Sequence, residues 1–292
     1  MICNNLPIAD SNDRHITHPW LPWILAMEFL LLFAPTLYWL WERWTMSVWS
    51  NGHGIVVTLV VCYLIREELK QNSYLPIDPT PLGFIFLIPA LLLHMLDTGI
   101  HSQLLSALAL MSSLPAFSLI FLGVSRTKAI IFPLLTLFLT IPIPLTFTES
   151  THLALRYIAT DSVAWLLRLF NIPVFKQGTT LQIENGSLQV ADACSGFSTL
   201  YATVTVAILT AYLCRNLIRR TIVLTIAIPL AISVNIARVF VLTLLVKWFG
   251  LDVLKTSAHE ISGLLTFVIA LPIIFLIGHD KIVEQQNIEN AP

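Results

Sequence analysis

Long apolar stretches separated by short polar breaks run along most of this chain. A helix that crosses a bilayer needs roughly 20 mostly apolar residues. Stretches that meet or approach this length are Trp20–Trp41, Trp49–Ile65, Leu82–Leu96, Leu104–Gly123, Ala129–Phe147, Ser195–Cys214, Thr221–Trp248 and Ile261–Gly278, the second and third being short. The pattern predicts an all-α polytopic membrane protein with about eight transmembrane helices. Two segments break the pattern. His152–Phe170 is apolar but carries Arg156, Asp161 and Arg168, which fall within about 140° of one another at helical spacing. That predicts an amphipathic helix in the outer interface; if it spans instead, the orientation of everything after it changes. In residues 179–190, Thr180, Gln182 and Glu184 alternate with Leu181 and Ile183, then Leu188 and Val190 alternate with Gln189 across Asn185-Gly186. This predicts a short β-hairpin with a type I′ turn. Its apolar face would rest on the bilayer or on the helices, and it leads directly into Cys194.

Composition agrees. The chain is 56% hydrophobic and 11% charged, with a mean hydropathy of +0.80, whereas soluble domains carry about 25% charged residues. Residues 1–292 read as a single integral membrane domain without internal repeats. Residues 1–19 are polar and precede the first apolar stretch without a small-residue cleavage pattern, so that stretch is expected to be a retained anchor. Cytoplasmic loops collect Lys and Arg. With the N-terminus inside, the inner face receives Arg14, Arg66, Lys70, Arg126, Lys128, Lys281 and the cluster Arg215/Arg219/Arg220. The outer face receives Arg43, Arg156, Arg168, Lys176, Lys247 and Lys255. Residues 1–19 and 279–292 then become cytoplasmic tails, and 148–193 an extracytoplasmic segment of amphipathic helix and hairpin. No phosphate-binding loop, dinucleotide fingerprint or nucleic-acid module occurs, so neither a cofactor nor a nucleic-acid partner is expected; the lipid bilayer is.

This topology brings three chemical groups to the outer half of the membrane. Cys194 begins one apolar stretch at the outer face, and His259 immediately precedes another. Arg238 lies ten residues before Trp248, about 15 Å along a helix axis. Cys3, Cys62 and Cys214 lie at or near the inner side, which leaves Cys194 without a disulfide partner. A free cysteine packs well as a small apolar residue, but a helix N-terminus favours thiolate. Burial alone favours the neutral thiol, so activation needs a nearby cation. Arg238 supplies one, at an insertion cost of about 2.5–3.5 kcal/mol. It shares a helical face with Asn235 and either stabilises a thiolate or oxyanion or, with Asn235, packs the helices together. His259 is placed as base for the thiol and acid for a leaving amine, or else as a helix-capping histidine. Ser195, Gly196 and Asp192 support the site, Gly196 by allowing close approach. His259-Glu260 lacks the second histidine of a zinc-protease motif because position 263 is glycine, so no metal is expected.

Other polar residues rank lower. His53 is a substrate contact or a turn residue; His94 and His101 with Asp97 form an interfacial polar cap. Glu149, Glu184 and Asp192 are candidate partners for a basic substrate segment or for His259, and Asn185-Gly186-Ser187 fits a glycosylation sequon weakly.

Taken in order, Ala193-Cys194-Ser195-Gly196-Phe197, Asn235-Ile236-Ala237-Arg238, and His259 with Gly263 resemble the blocks of the exosortase/archaeosortase family. Ile141-Pro142-Ile143-Pro144 and Asn171-Ile172-Pro173-Val174 with Gly178 add to the resemblance, which covers roughly residues 40–278. The block from Trp49 to Gly54 departs from the family's Tyr-Ser-His-Gly, which weakens any role for His53. The resemblance implies a membrane-embedded cysteine protease or transpeptidase of the bacterial inner membrane, with its active site facing outward and members found beside exopolysaccharide genes. Its substrates would be exported proteins ending in a short motif, a membrane helix and a basic tail, with a surface glycan or lipid as acceptor. By resemblance Cys194 is the nucleophile, Arg238 the transition-state stabiliser and His259 the base and acid. Two other functions fit parts of the pattern. One is an intramembrane serine protease using Ser195 and His259; the other is a non-enzymatic exopolysaccharide export or transport component, for which Arg238 would be a substrate contact.

Overall fold

The computed structural model describes residues 20–45, 53–184, 186–190, 195–255 and 258–278, with backbone alone at 21–23, 145, 255, 258–260 and 264. Asp192 and Cys194, both terminal tails and Asn185 lie outside the described residues. The described helices are α1 (Leu21–Leu32), α2 (Ala34–Thr45), α3 (His53–Gln71), α4 (Gly83–Ile100), α5 (Leu104–Thr136), α6 (Leu145–Leu169), α7 (Phe197–Leu213), α8 (Leu217–Phe249) and α9 (Ala258–Gly278). A three-stranded antiparallel sheet, β1 (Phe175–Gln177), β2 (Thr180–Ile183) and β3 (Gly186–Gln189), sits between α6 and α7 in the chain.

Four described helices are long and apolar enough to cross a membrane, or five if α1 and α2 are one bent span, so this is a multi-pass membrane protein. The expected eight spans are not reproduced. The first expected span is two helices bent by 60°. Pro35 lies at the start of α2, where it lacks an N–H and crowds the carbonyl four residues earlier. Expected span four and the start of span five lie within α5, whose backbone is non-helical at Gly123 (φ 80, ψ 178). The chain then tightens into a 3-10 turn, Leu137–Thr140, and becomes extended at Ile141, because a residue before proline avoids the helical region. Phe147, expected to end the fifth span, belongs instead to α6. Among the rest, α7 has only 17 residues, and α3 ends in Arg66, Glu67, Glu68 and Lys70.

The Gly123 break is held from outside. Asp78 forms a bridge with Gly123, Thr80 N–H donates to Leu119 O, and Arg126 donates to the carbonyls of Leu75 and Ser73 at 3.0 Å each. A Cβ at Gly123 would run into the Asp78 carbonyl, and this φ/ψ region costs any other residue about 1–3 kcal/mol. Gly123→Ala is therefore expected to lower the thermal unfolding midpoint in detergent by several degrees, while a substitution at the exposed neighbour Phe121 leaves it unchanged.

Small side chains set the close packing of the C-terminal helices. Ala207 and Ala211 of α7, Val223 and Ala227 of α8 and Ile274 of α9 form one buried cluster, the pattern by which membrane helices approach without a hydrophobic driving force. At its far end Cys214 Sγ lies 3.1 Å from Gly278 O. A second cluster joins α2, α3 and α5 through Leu40, Val57, Val61, Ala107 and Leu110. The polar cap expected around Asp97 is a buried network: Ser102 and Ser106 hydroxyls donate to its carboxylate at 2.9 and 2.7 Å, and His94 Nδ1 lies 2.9 Å from Ser106 Oγ. It ties the end of α4 to the start of α5, with left-handed His101 in the turn.

The third buried cluster positions the site. Thr148, His152, Leu155, Ala159, Val163 and Leu167 form one buried stripe along α6, at the helical spacing of a single face. Asp161 and Arg168 are exposed. Ala159, Val163 and Leu167 pack with Leu181 and Val190 of the sheet region and Val239 of α8. The amphipathic helix is thus longer than expected, beginning at Leu145. The hairpin forms, with Leu181 paired to Leu188 and both buried, so its apolar face rests on helices. Two details differ. Gly186 pairs with Ile183 and therefore belongs to the ladder, not the turn. The additional strand β1 pairs Lys176 with Leu181, and Lys176 reaches back to an ion pair with Asp161 and lies over the Tyr157 ring.

Candidate functional site

The sheet returns the chain to the helices at Val190, whose N–H donates to Thr179 O at 3.0 Å. Ser195, immediately before the α7 N-cap Gly196, is 1% exposed. Gly196 then adopts a left-handed conformation (φ 83) as the N-cap of α7, a conformation glycine takes without steric cost. A Cβ there would collide with the side chain of Asn235. The close approach expected of Gly196 is therefore made toward α8.

Asn235 is 3% exposed and donates from Nδ2 to Ser195 O at 3.1 Å. One helical turn further along α8, Arg238 Nε donates to Ser262 Oγ at 3.2 Å. Its guanidinium rests against Gly263, where a Cβ would come within 3.4 Å of Nη2. Arg238 is itself 9% exposed. The Asn235–Arg238 face of α8 thus touches the residue that opens α7 at one end and the first turns of α9 at the other. His259 lies in that first turn, three and four residues before Ser262 and Gly263 and hence on the same helical face. The structure brings together Ser195, Gly196 and Asn235, and separately Arg238, Ser262 and Gly263. Cys194 and Asp192 lie outside the described residues, as does the His259 side chain.

Sequence reading missed one member of this neighbourhood. His152 Nδ1 and Ser195 Oγ share a hydrogen bond at 2.9 Å, and the His152 ring stacks on Phe197 with centroids 4.5 Å apart. Ser195 Oγ also accepts the Phe197 N–H at 3.3 Å. The available signal was position: His152 lies on the Thr148–Leu155–Ala159 stripe of α6, not with its charged residues. A small recess opens beside Ser195, walled by Leu155 and Ala159 of α6 and by Ile232 and Ile236 of α8, with Gly196 and Asn235 at its polar end. His53 opens α3 and meets Tyr201 edge to face at 5.2 Å. Glu149 is exposed on α6.

What this arrangement can do chemically is limited and specific. A buried guanidinium and a buried amide lie on one helix face, each held by a hydrogen bond to a neighbouring segment. Such preorganised donors stabilise negative charge that develops beside them.

No curated protein and no solved structure matches the chain. A family model described as transmembrane exosortase matches residues 41–276, a span that contains α3 to α8, the sheet, Ser195, Asn235, Arg238 and His259. The chain therefore belongs to the transmembrane exosortase family.

Proposed function

We propose that this protein is a cysteine transpeptidase or protease that removes the C-terminal sorting signal of exported proteins at the outer membrane–water interface. The observation that carries the reading is the Asn235–Ser195 contact. It fastens the residue that follows Cys194 to the helix face bearing Arg238, whose guanidinium rests one turn from His259.

In this reading the Cys194 thiolate attacks the carbonyl carbon of the scissile peptide bond. Arg238 stabilises the negative charge on the tetrahedral intermediate. His259, holding the thiol proton, gives it to the leaving amine as the C–N bond breaks. A thioester remains on Cys194. An acceptor hydroxyl or amine, from a glycan or lipid, or water, attacks that thioester and restores the thiol. The substrate class supplies a membrane helix beside α6–α9 and a basic tail that stays on the cytoplasmic side.

The Ser195–His152 hydrogen bond favours a second reading, in which Ser195 is the nucleophile and a histidine its base. Against it, Ser195 is 1% exposed and its Oγ already accepts the Phe197 N–H. Co-expression with an epitope-tagged exported protein that ends in an apolar helix and a basic tail separates the two. The expected result is release of the tail by the wild-type protein and by Ser195→Ala at a reduced rate, and none by His259→Ala. Complete loss in Ser195→Ala with activity kept in Cys194→Ala would establish the serine reading.

A further inference from the structure

We infer that His152 is a positioning residue for acylation: it holds Ser195, and through Ser195 the chain at Cys194. This rests on Cys194 being the nucleophile.

His152 is 9% exposed and lies 43 residues from Ser195 in the chain. Three contacts converge on Ser195 from different elements. Its carbonyl accepts from Asn235 of α8, its hydroxyl is bonded to His152 of α6, and the same hydroxyl accepts the N–H of Phe197 in α7. Phe197 in turn carries the stacked His152 ring. These ties are needed because the next residue, Gly196, gives the backbone unusual freedom. Asn235 alone fixes the carbonyl but leaves rotation about it. The bond from His152 adds a tie at the side chain, so Ser195 is fastened to both α6 and α8. Reacting groups lose rate steeply when displaced by about 1 Å, so a group that holds the adjacent residue acts on the rate without touching substrate. Neither direction of the His152–Ser195 proton is required, because a bond of either polarity restrains the hydroxyl.

The test is a double-mutant cycle, read as the initial rate of tail release from an epitope-tagged exported protein ending in an apolar helix and a basic tail. His152→Phe keeps a ring against Phe197 and removes the ring nitrogens. It is expected to slow release roughly tenfold at saturating substrate, per inserted protein, with the half-saturating substrate level unchanged. His152→Gln, whose amide still bonds to Ser195, should recover most of the rate. Ser195→Ala should slow release to a similar degree, and the His152→Phe/Ser195→Ala double variant should be no slower than either single one. A wild-type rate in His152→Phe, a failure of His152→Gln to recover, or losses that multiply in the double variant would each overturn the proposal. If His152→Phe does not accumulate, His152→Leu takes its place against His152→Gln and decides by the same comparison. Cys194→Ala, run alongside, separates the two levels. Full activity there removes the underlying mechanism, whereas an inactive Cys194→Ala beside an unaffected His152→Phe removes only the role of His152.

Discussion

Cys194→Ala is expected to leave the protein inserted in the membrane at normal levels and to abolish release of the C-terminal tail from its exported substrate. The loss should match that of His259→Ala and exceed that of Arg238→Ala, because the hydroxyl beside it does not replace the thiol. Ser195 is the adjacent hydroxyl, but it is buried and held by His152, Phe197 and, through its carbonyl, Asn235. Cys194→Ser should be nearly as inactive, since a serine hydroxyl lacks the acidity that lets a thiol be activated by a cation and an imidazole. Among the described residues the other cysteines do not substitute: Cys62 lies on α3, and Cys214 is buried at the far end of α7 against Gly278. Quantitative immunoblotting of tail release in membranes, normalised to the inserted protein, checks this.

Arg238→Ala is the second large effect. Removing a preorganised donor from a site of developing negative charge typically costs about 10²–10³ in rate, and that range is expected for the acylation step here. Arg238→Lys should recover little. The arginine is anchored by Nε on Ser262 and rests against Gly263; an ammonium carries all its donors on one nitrogen and lacks the planar fork that keeps that pose. The same packing argument separates charge from shape. Gly263→Ala, whose Cβ would meet Arg238 Nη2 at 3.4 Å, an ordinary contact, should leave the guanidinium in place and reduce the rate far less than Arg238→Lys does. A lysine variant with wild-type kinetics would show that only the charge matters and that the α8–α9 geometry is incidental.

Much of this arrangement was legible from residue pattern, for identifiable reasons. An arginine three residues after an asparagine in an apolar stretch had to face protein, and Asn235 and Arg238 are indeed both buried on one face of α8. The alternation around Leu181 and Leu188 marked a half-buried hairpin, and it is one. The departures arose where hydropathy carries no geometric information. Apolar length did not reveal the break before Pro35 or the non-helical Gly123 in α5. The latter depends on Asp78 and Arg126 contacts from a distant loop. His152 was hidden for the complementary reason. Its partner lies 43 residues away, across the sheet, and a lone histidine at the start of an amphipathic helix has no local spacing that predicts a tertiary bond. The hairpin turn was misplaced by one residue because Asn-Gly is a strong local signal, while the ladder that includes Gly186 is set by which face Leu181, Ile183 and Leu188 must bury.

The central claim is that Cys194 becomes acylated, and the most direct measurement is mass spectrometry of the Cys194-containing peptide from membranes that are processing the exported substrate. The prediction is a hydroxylamine-sensitive adduct on Cys194 whose mass matches the substrate's cleaved end, present in the wild type and absent in Arg238→Ala and His259→Ala. Ongoing tail release with an unmodified Cys194, or the adduct on Ser195 instead, would contradict it.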